Sequence, residues 1–117
     1  LNCALFSIAD QLHRVHGITI LDINEFTKYV RENALLEFNT MIDVLGNGTA
    51  VLRAVVAYLR RKGLVGDGFA LNLKIWSSDG QGGLMEFNNV ASSGAGGVQV
   101  VLYYNGVNHF DSITGGF

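Results

Sequence analysis

The chain has 117 residues, of which 49% are hydrophobic and 15% charged, with a formal net charge of −2. That length supports one domain, 1–117, with a core that buries roughly two-thirds of the unfolded chain's surface. The acidic balance, with no basic run longer than Arg60-Arg61-Lys62, argues against nucleic acid as the main partner. No apolar run reaches the roughly 18 residues of a membrane span, and a secretory leader, with its charged start and small-residue cleavage site, is not expected. One cysteine excludes an internal disulfide and argues against a zinc site, so neither metal nor cofactor is expected.

In chain order, Leu5, Ile8, Ala9 and Leu12 recur at the spacing that gives a helix one apolar stripe. Cys3 stands where this helix begins. The N-terminal end of a helix suits a sulfur nucleophile, because backbone N–H groups and the positive end of the macrodipole lie there. Gly17 is the expected C-cap, and Ile18-Thr19-Ile20 a short extended link. Asp22 starts a second helix, with Glu25 completing a capping box and Leu21 expected to staple against Phe26. Phe26, Tyr29 and Val30 form its buried stripe. A further helical segment, carried by Leu35, Phe38, Asn39, Ile42 and Leu45, runs to Gly46; with the second it makes either two helices or one bent at Asn33.

Asn47-Gly48-Thr49 reads as a turn with a capping residue, opening a helix lined by Val51, Leu52, Val55, Val56 and Leu59. Arg60, Arg61 and Lys62 fall in its last turn, where cations suit the dipole, and Gly63 ends it. From there the period becomes two: Leu71, Leu73 and Ile75 alternate with Asn72, Lys74 and Trp76, as in a strand. A glycine-rich turn at 78–83 leads to a short strand at 84–87. A second small-residue loop, 92–97, lacks the glycine spacing of a phosphate cradle. Val98 to Tyr104 forms a β-branched and aromatic strand. Asn105-Gly106 signals a hairpin whose returning strand contains His109 and Asp111. Helices first and strands afterwards predict an α+β domain, with N-terminal helices packed on a small, mostly antiparallel sheet.

In an extended segment His109 and Asp111 point the same way. Cys3, His109 and Asp111 can therefore supply a nucleophile, a base and the group that orients the base. Taken singly, each has a plainer reading: a small core residue, a surface histidine, a turn-shaping aspartate. His13 and His16 lie at the wrong end of the first helix to serve Cys3.

The segment Asn2-Cys3-Ala4-Leu5-Phe6-Ser7-Ile8-Ala9-Asp10-Gln11-Leu12 resembles the catalytic-cysteine segment of the ovarian-tumour (OTU) family of cysteine proteases, which reads Asp-Gly-Asn-Cys-Leu-Phe-Arg-Ala and often continues to Ala-Asp-Gln-Leu. His109-Phe110-Asp111-Ser112-Ile113 resembles that family's second motif, His-Tyr-Asp/Asn-Ser-Val/Ile, which also follows a hydrophobic strand. The resemblance implies a papain-like OTU-type domain; Leu1 stands where the family has Gly, so either the chain begins inside the Cys loop or this loop differs from the family's. It also implies a deubiquitinase, which hydrolyses isopeptide or peptide bonds at the C-terminus of ubiquitin or a ubiquitin-like modifier. Catalytic Cys3, His109 and Asp111 follow from it, with backbone amides of Asn2 and Cys3 at the oxyanion hole. Ubiquitin or polyubiquitin is the implied partner and the cytoplasm, or a host's cytoplasm, the location. Another papain-like peptidase or acyltransferase, or a catalytically silent ubiquitin-binding module, are the alternatives. The 78–83 and 92–97 loops are either borders of a channel for a Gly-Gly tail or plain connections.

Overall fold

The computed structural model describes residues 3–34, 40–86, 91–106 and 109–113, and the side chains of these apart from 40–47. Helices α1 (Cys3–His16), α2 (Ile23–Asn33) and α3 (Thr40–Arg61) precede strands β1 (Leu71–Ser78), β2 (Leu84–Glu86), β3 (Ala91–Ser92), β4 (Val98–Tyr104) and β5 (Phe110–Ser112). The sheet runs β2-β1-β4-β5, with β3 also on β1. Among the described residues three of its four pairings are antiparallel, but the long central one, β1 with β4, is parallel. In that parallel register Leu71, Leu73 and Ile75 stand beside Val98, Val100 and Leu102, and all but Val98 are buried on one face. The expectation of an α+β domain with a mostly antiparallel sheet holds, and the parallel pairing at the sheet's centre is what the sequence did not indicate.

Helix α1 packs over β4 and β5, α3 over β1 and β3, and α2 against both helices. Leu5, Ile8 and Leu12 of α1 are wholly buried, as their spacing predicts. The helix closes with Ile18 N–H donating to Leu12 O at 2.9 Å, a reversal that needs the left-handed φ of +68° at Gly17.

Asp22 caps α2 by accepting the Glu25 N–H at 3.0 Å. Leu21 does not staple onto Phe26: it is 95% exposed, while Phe26 turns inward onto Tyr58 of α3, with ring centroids 5.2 Å apart. Glu25 ties the two helices together, accepting the Tyr58 hydroxyl at 2.9 Å and pairing with Lys62 at 2.5 Å. Lys62 first, then Tyr58, holds its carboxyl below the usual range, while burial and the Glu25 charge push the Tyr58 hydroxyl up to about 12.

The expected turn at Asn47-Gly48-Thr49 is absent, and α3 passes straight through it. Of the helical segment expected at 35–46, residues 35–39 lie outside the described residues and the rest form the start of α3. Gly48 is there for closeness, not for turning. A Cβ on it would come within 2.7 Å of the Ala91 Cβ on β3. Gly48→Ala should therefore destabilise the domain. Helix propensity gains about 1 kcal/mol, but overpacking costs roughly 1–3 kcal/mol. The midpoint in urea should fall, and adding Ala91→Gly should restore it. A raised midpoint in the single variant would mean that the helix stands off the sheet.

Candidate functional site

Cys3 lies in the first turn of α1, half-buried against the core. Among the described residues no acidic side chain shares that turn, where the end of the helix dipole is positive. His109 precedes β5, and Asp111 lies within it. Between them Phe110 is buried, stacking on Tyr104 with ring centroids 4.8 Å apart. That inward turn sends residues 109 and 111 outward together, as a two-residue period requires. His109 Nε2 lies 2.9 Å from Asp111 Oδ1, with side chains 52% and 65% exposed. An exposed pair of this kind adds about 0–1 kcal/mol to stability, so its effect is on the ring's orientation. Asn105 fixes the backbone of His109 from both sides: its carboxamide oxygen accepts the His109 N–H at 3.1 Å, and its own N–H donates to the His109 carbonyl at 3.0 Å.

All three residues face one cleft of about 240 Å³, walled by Cys3, Phe6, Ser7 and Asp10 from α1 and by residues 109–112. That is below the roughly 300 Å³ at which pockets begin to enclose a small molecule. The cleft suits a chain laid across it. Asn2, the other oxyanion-hole candidate, lies outside the described residues. Cys3 remains, in the turn whose N–H groups fall outside the i→i−4 ladder.

The alignment of α1 with β5 rests on a set of polar side chains. The Ser7 hydroxyl lies 2.8 Å from the Cys3 carbonyl and 3.0 Å from the Phe110 carbonyl, with one proton to give to either. Ser112 donates to the Asp10 carboxylate, which also pairs with Arg14 at 2.8 Å. The Gln11 side chain is inserted at the sheet like a further piece of strand. It accepts the Val101 N–H and donates to the Val101 and Ile113 carbonyls at 2.7 and 2.8 Å. These contacts hold the helix that carries Cys3 in register with the strand that carries Asp111. Inspection for catalytic residue types alone misses them; their signal is the spacing Cys3, Ser7, Gln11, which puts polar groups every fourth residue beside the apolar stripe.

The remaining candidates fall elsewhere. His13 Nδ1 lies 3.1 Å from Thr19 Oγ1, and His16 Nε2 lies 2.9 Å from the Gln99 carbonyl, beyond reach of the cleft. The 92–97 loop precedes β4 and His109 follows it, so seven extended residues separate them, roughly 20 Å. That loop cannot border the cleft. The 78–83 loop lies at the same end of the sheet as His109, by the register Ser77–Tyr104–Phe110, but supplies no wall of the cleft. Its Asp79 folds it locally, accepting the N–H groups of Gln81 and Gly83 at 2.7 and 3.0 Å. Among the described residues, neither loop lines this cleft. The basic trio is also engaged: Arg60 donates to the Asp67 and Phe69 carbonyls at 2.7 and 3.0 Å, Arg61 lies over the Tyr29 ring, and Lys62 pairs with Glu25. Among the described residues no helix is long and apolar enough to cross a membrane.

No family model, curated protein or solved structure matches the chain.

If Asp111 acts by orienting His109, the two should differ in effect. Asp111→Asn should reduce hydrolysis less than His109→Ala, because an amide oxygen still accepts the ring N–H. If His109 carries the proton in such a reaction, His109→Ala would remove an effect of about 10²–10⁴-fold. Equal, complete losses in kcat would mean that Asp111 does more than orient; no loss in Asp111→Ala would place the third member elsewhere.

Proposed function

We propose that the chain is a thiol hydrolase of the papain-like, OTU type, acting as a deubiquitinase. The observation that carries the reading is the shared cleft: Cys3 on α1, with His109 and Asp111 opposite it, 2.9 Å apart. With Nε2–H given to Asp111, Nδ1 is the ring nitrogen left for proton exchange. It takes the Cys3 proton as the sulfur attacks the scissile carbonyl. The oxyanion is stabilised by backbone N–H groups at the start of α1, each such donor contributing about 3–4 kcal/mol in related chemistry. The protonated His109 gives its proton to the leaving amine, and water then hydrolyses the thioester, restoring Cys3.

Ubiquitin as the acyl donor is supported by the two motifs around Cys3 and His109. A triad in a cleft this small would act on many accessible peptides, so selectivity has to come from docking a folded partner. Whole ubiquitin bearing a C-terminal fluorophore should be cleaved at least about 10²-fold faster, as kcat/KM, than a peptide ending in the same Leu-Arg-Gly-Gly tail. That factor equals about 2.7 kcal/mol of binding used in the transition state. Comparable rates would leave a general thiol peptidase and remove ubiquitin.

A further inference from the structure

The ladder between β4 and β5 is in register at Tyr104 and Phe110, so Asn105 and His109 face each other one step further out. In an antiparallel pair, residues so placed exchange two backbone hydrogen bonds. One of them is made: the Asn105 N–H donates to the His109 carbonyl at 3.0 Å. The other is substituted, because the His109 N–H goes to the Asn105 side-chain oxygen at 3.1 Å. A side chain thus stands in for a ladder carbonyl at the residue that carries the imidazole. On the far side of His109, Phe110 is buried and stacked on Tyr104. The backbone of His109 is therefore held at two points, by the carboxamide and by the buried ring.

Position 105 is exposed, so water can take over the His109 N–H when the carboxamide is removed, at little cost in stability. Water does not fix the direction of that N–H, and the direction of the backbone sets where the ring points. We propose that Asn105, on the hydrolase reading, is a positioning residue. Its carboxamide holds His109 where Nε2–H meets Asp111, leaving Nδ1 for the Cys3 proton. The requirement is for an acceptor carried on Cγ. Aspartate meets it, glutamine carries its oxygen one methylene further out, and alanine has none.

The tautomer of His109 reads this placement apart from turnover. Long-range proton–nitrogen NMR spectra of the imidazoles are recorded at a pH where the rings are neutral, with His109→Ala identifying the His109 signals. The native ring should be held in the Nε2–H form, and Asn105→Asp should keep it there. In Asn105→Ala and Asn105→Gln the ring should move to the tautomer mixture of a free imidazole, while the His13 and His16 signals stay in place. On a ubiquitin substrate those two variants should lose at least about tenfold in kcat, with KM and Tm little changed, and Asn105→Asp should retain most of the native rate. An unchanged Nε2–H form in Asn105→Ala, or a loss confined to KM or Tm, would overturn the proposal even if the native protein hydrolyses ubiquitin substrates. The expected tautomer changes with no turnover by the native protein would support the placement of the ring by Asn105 while removing the hydrolase reading.

Discussion

Replacing Cys3 with alanine should abolish hydrolysis while leaving the fold in place. The expected loss is at least about 10³-fold in kcat, the scale seen when a nucleophile is removed and only binding and oxyanion stabilisation remain. The fold should survive because Cys3 is half-buried in the first turn of α1 and alanine is the best helix former. Circular dichroism and the thermal midpoint should be close to those of the native chain. A variant that kept a tenth of the activity would show that the attacking group is not Cys3.

Gln11→Leu should produce the largest loss of stability. Gln11 is 1% exposed, and leucine has nearly its volume, so packing changes little. Hydrogen bonding changes more. The Val101 carbonyl still accepts the Ile113 N–H at 3.0 Å, but the Val101 N–H and the Ile113 carbonyl lose the partner Gln11 gives them. Each of these part-buried groups, left unsatisfied, costs in the lower half of the roughly 1–3 kcal/mol of a fully buried one. The sum, about 3 kcal/mol, should lower the Tm of a chain this size by roughly 10 °C. Since the same carboxamide joins α1 to the strand after His109, the folded fraction should also lose kcat more than KM, by about tenfold. A Tm within about 2 °C of the native value would mean that these backbone groups find other partners.

What was legible in the sequence is what depends on near neighbours. The apolar stripe of α1 at spacings of three and four, the alternation of β1, the Asp22–Glu25 cap and the pairing of His109 with Asp111 are all set within a few residues. What was not legible depends on distant contacts. Gly48 has the same letter whether it turns the chain or admits Ala91 closely, and only β3 distinguishes the two. Leu21 had the spacing of a staple, yet Phe26 is drawn inward by Tyr58 from another helix. The parallel pairing of β1 with β4 requires the chain to cross from one end of the sheet to the other, which alternation within each strand does not encode. The position of the 92–97 loop was open to a simple argument, since β4 alone separates it from His109. Ser7 and Gln11 were concealed because polar residues beside an apolar stripe look like solvent-facing ones until the strand they bind is known.

The central claim is that Cys3, activated by His109, attacks the C-terminal carbonyl of ubiquitin. Its most direct test is intact-mass spectrometry after incubation with ubiquitin carrying a C-terminal electrophile. Cys3 is the chain's only cysteine, so a thiol adduct has one possible site. The native protein should gain the mass of one ubiquitin, His109→Ala should gain it far more slowly, and Cys3→Ala should remain unmodified. A native protein that stays unmodified, or an adduct that persists in Cys3→Ala, would contradict the claim.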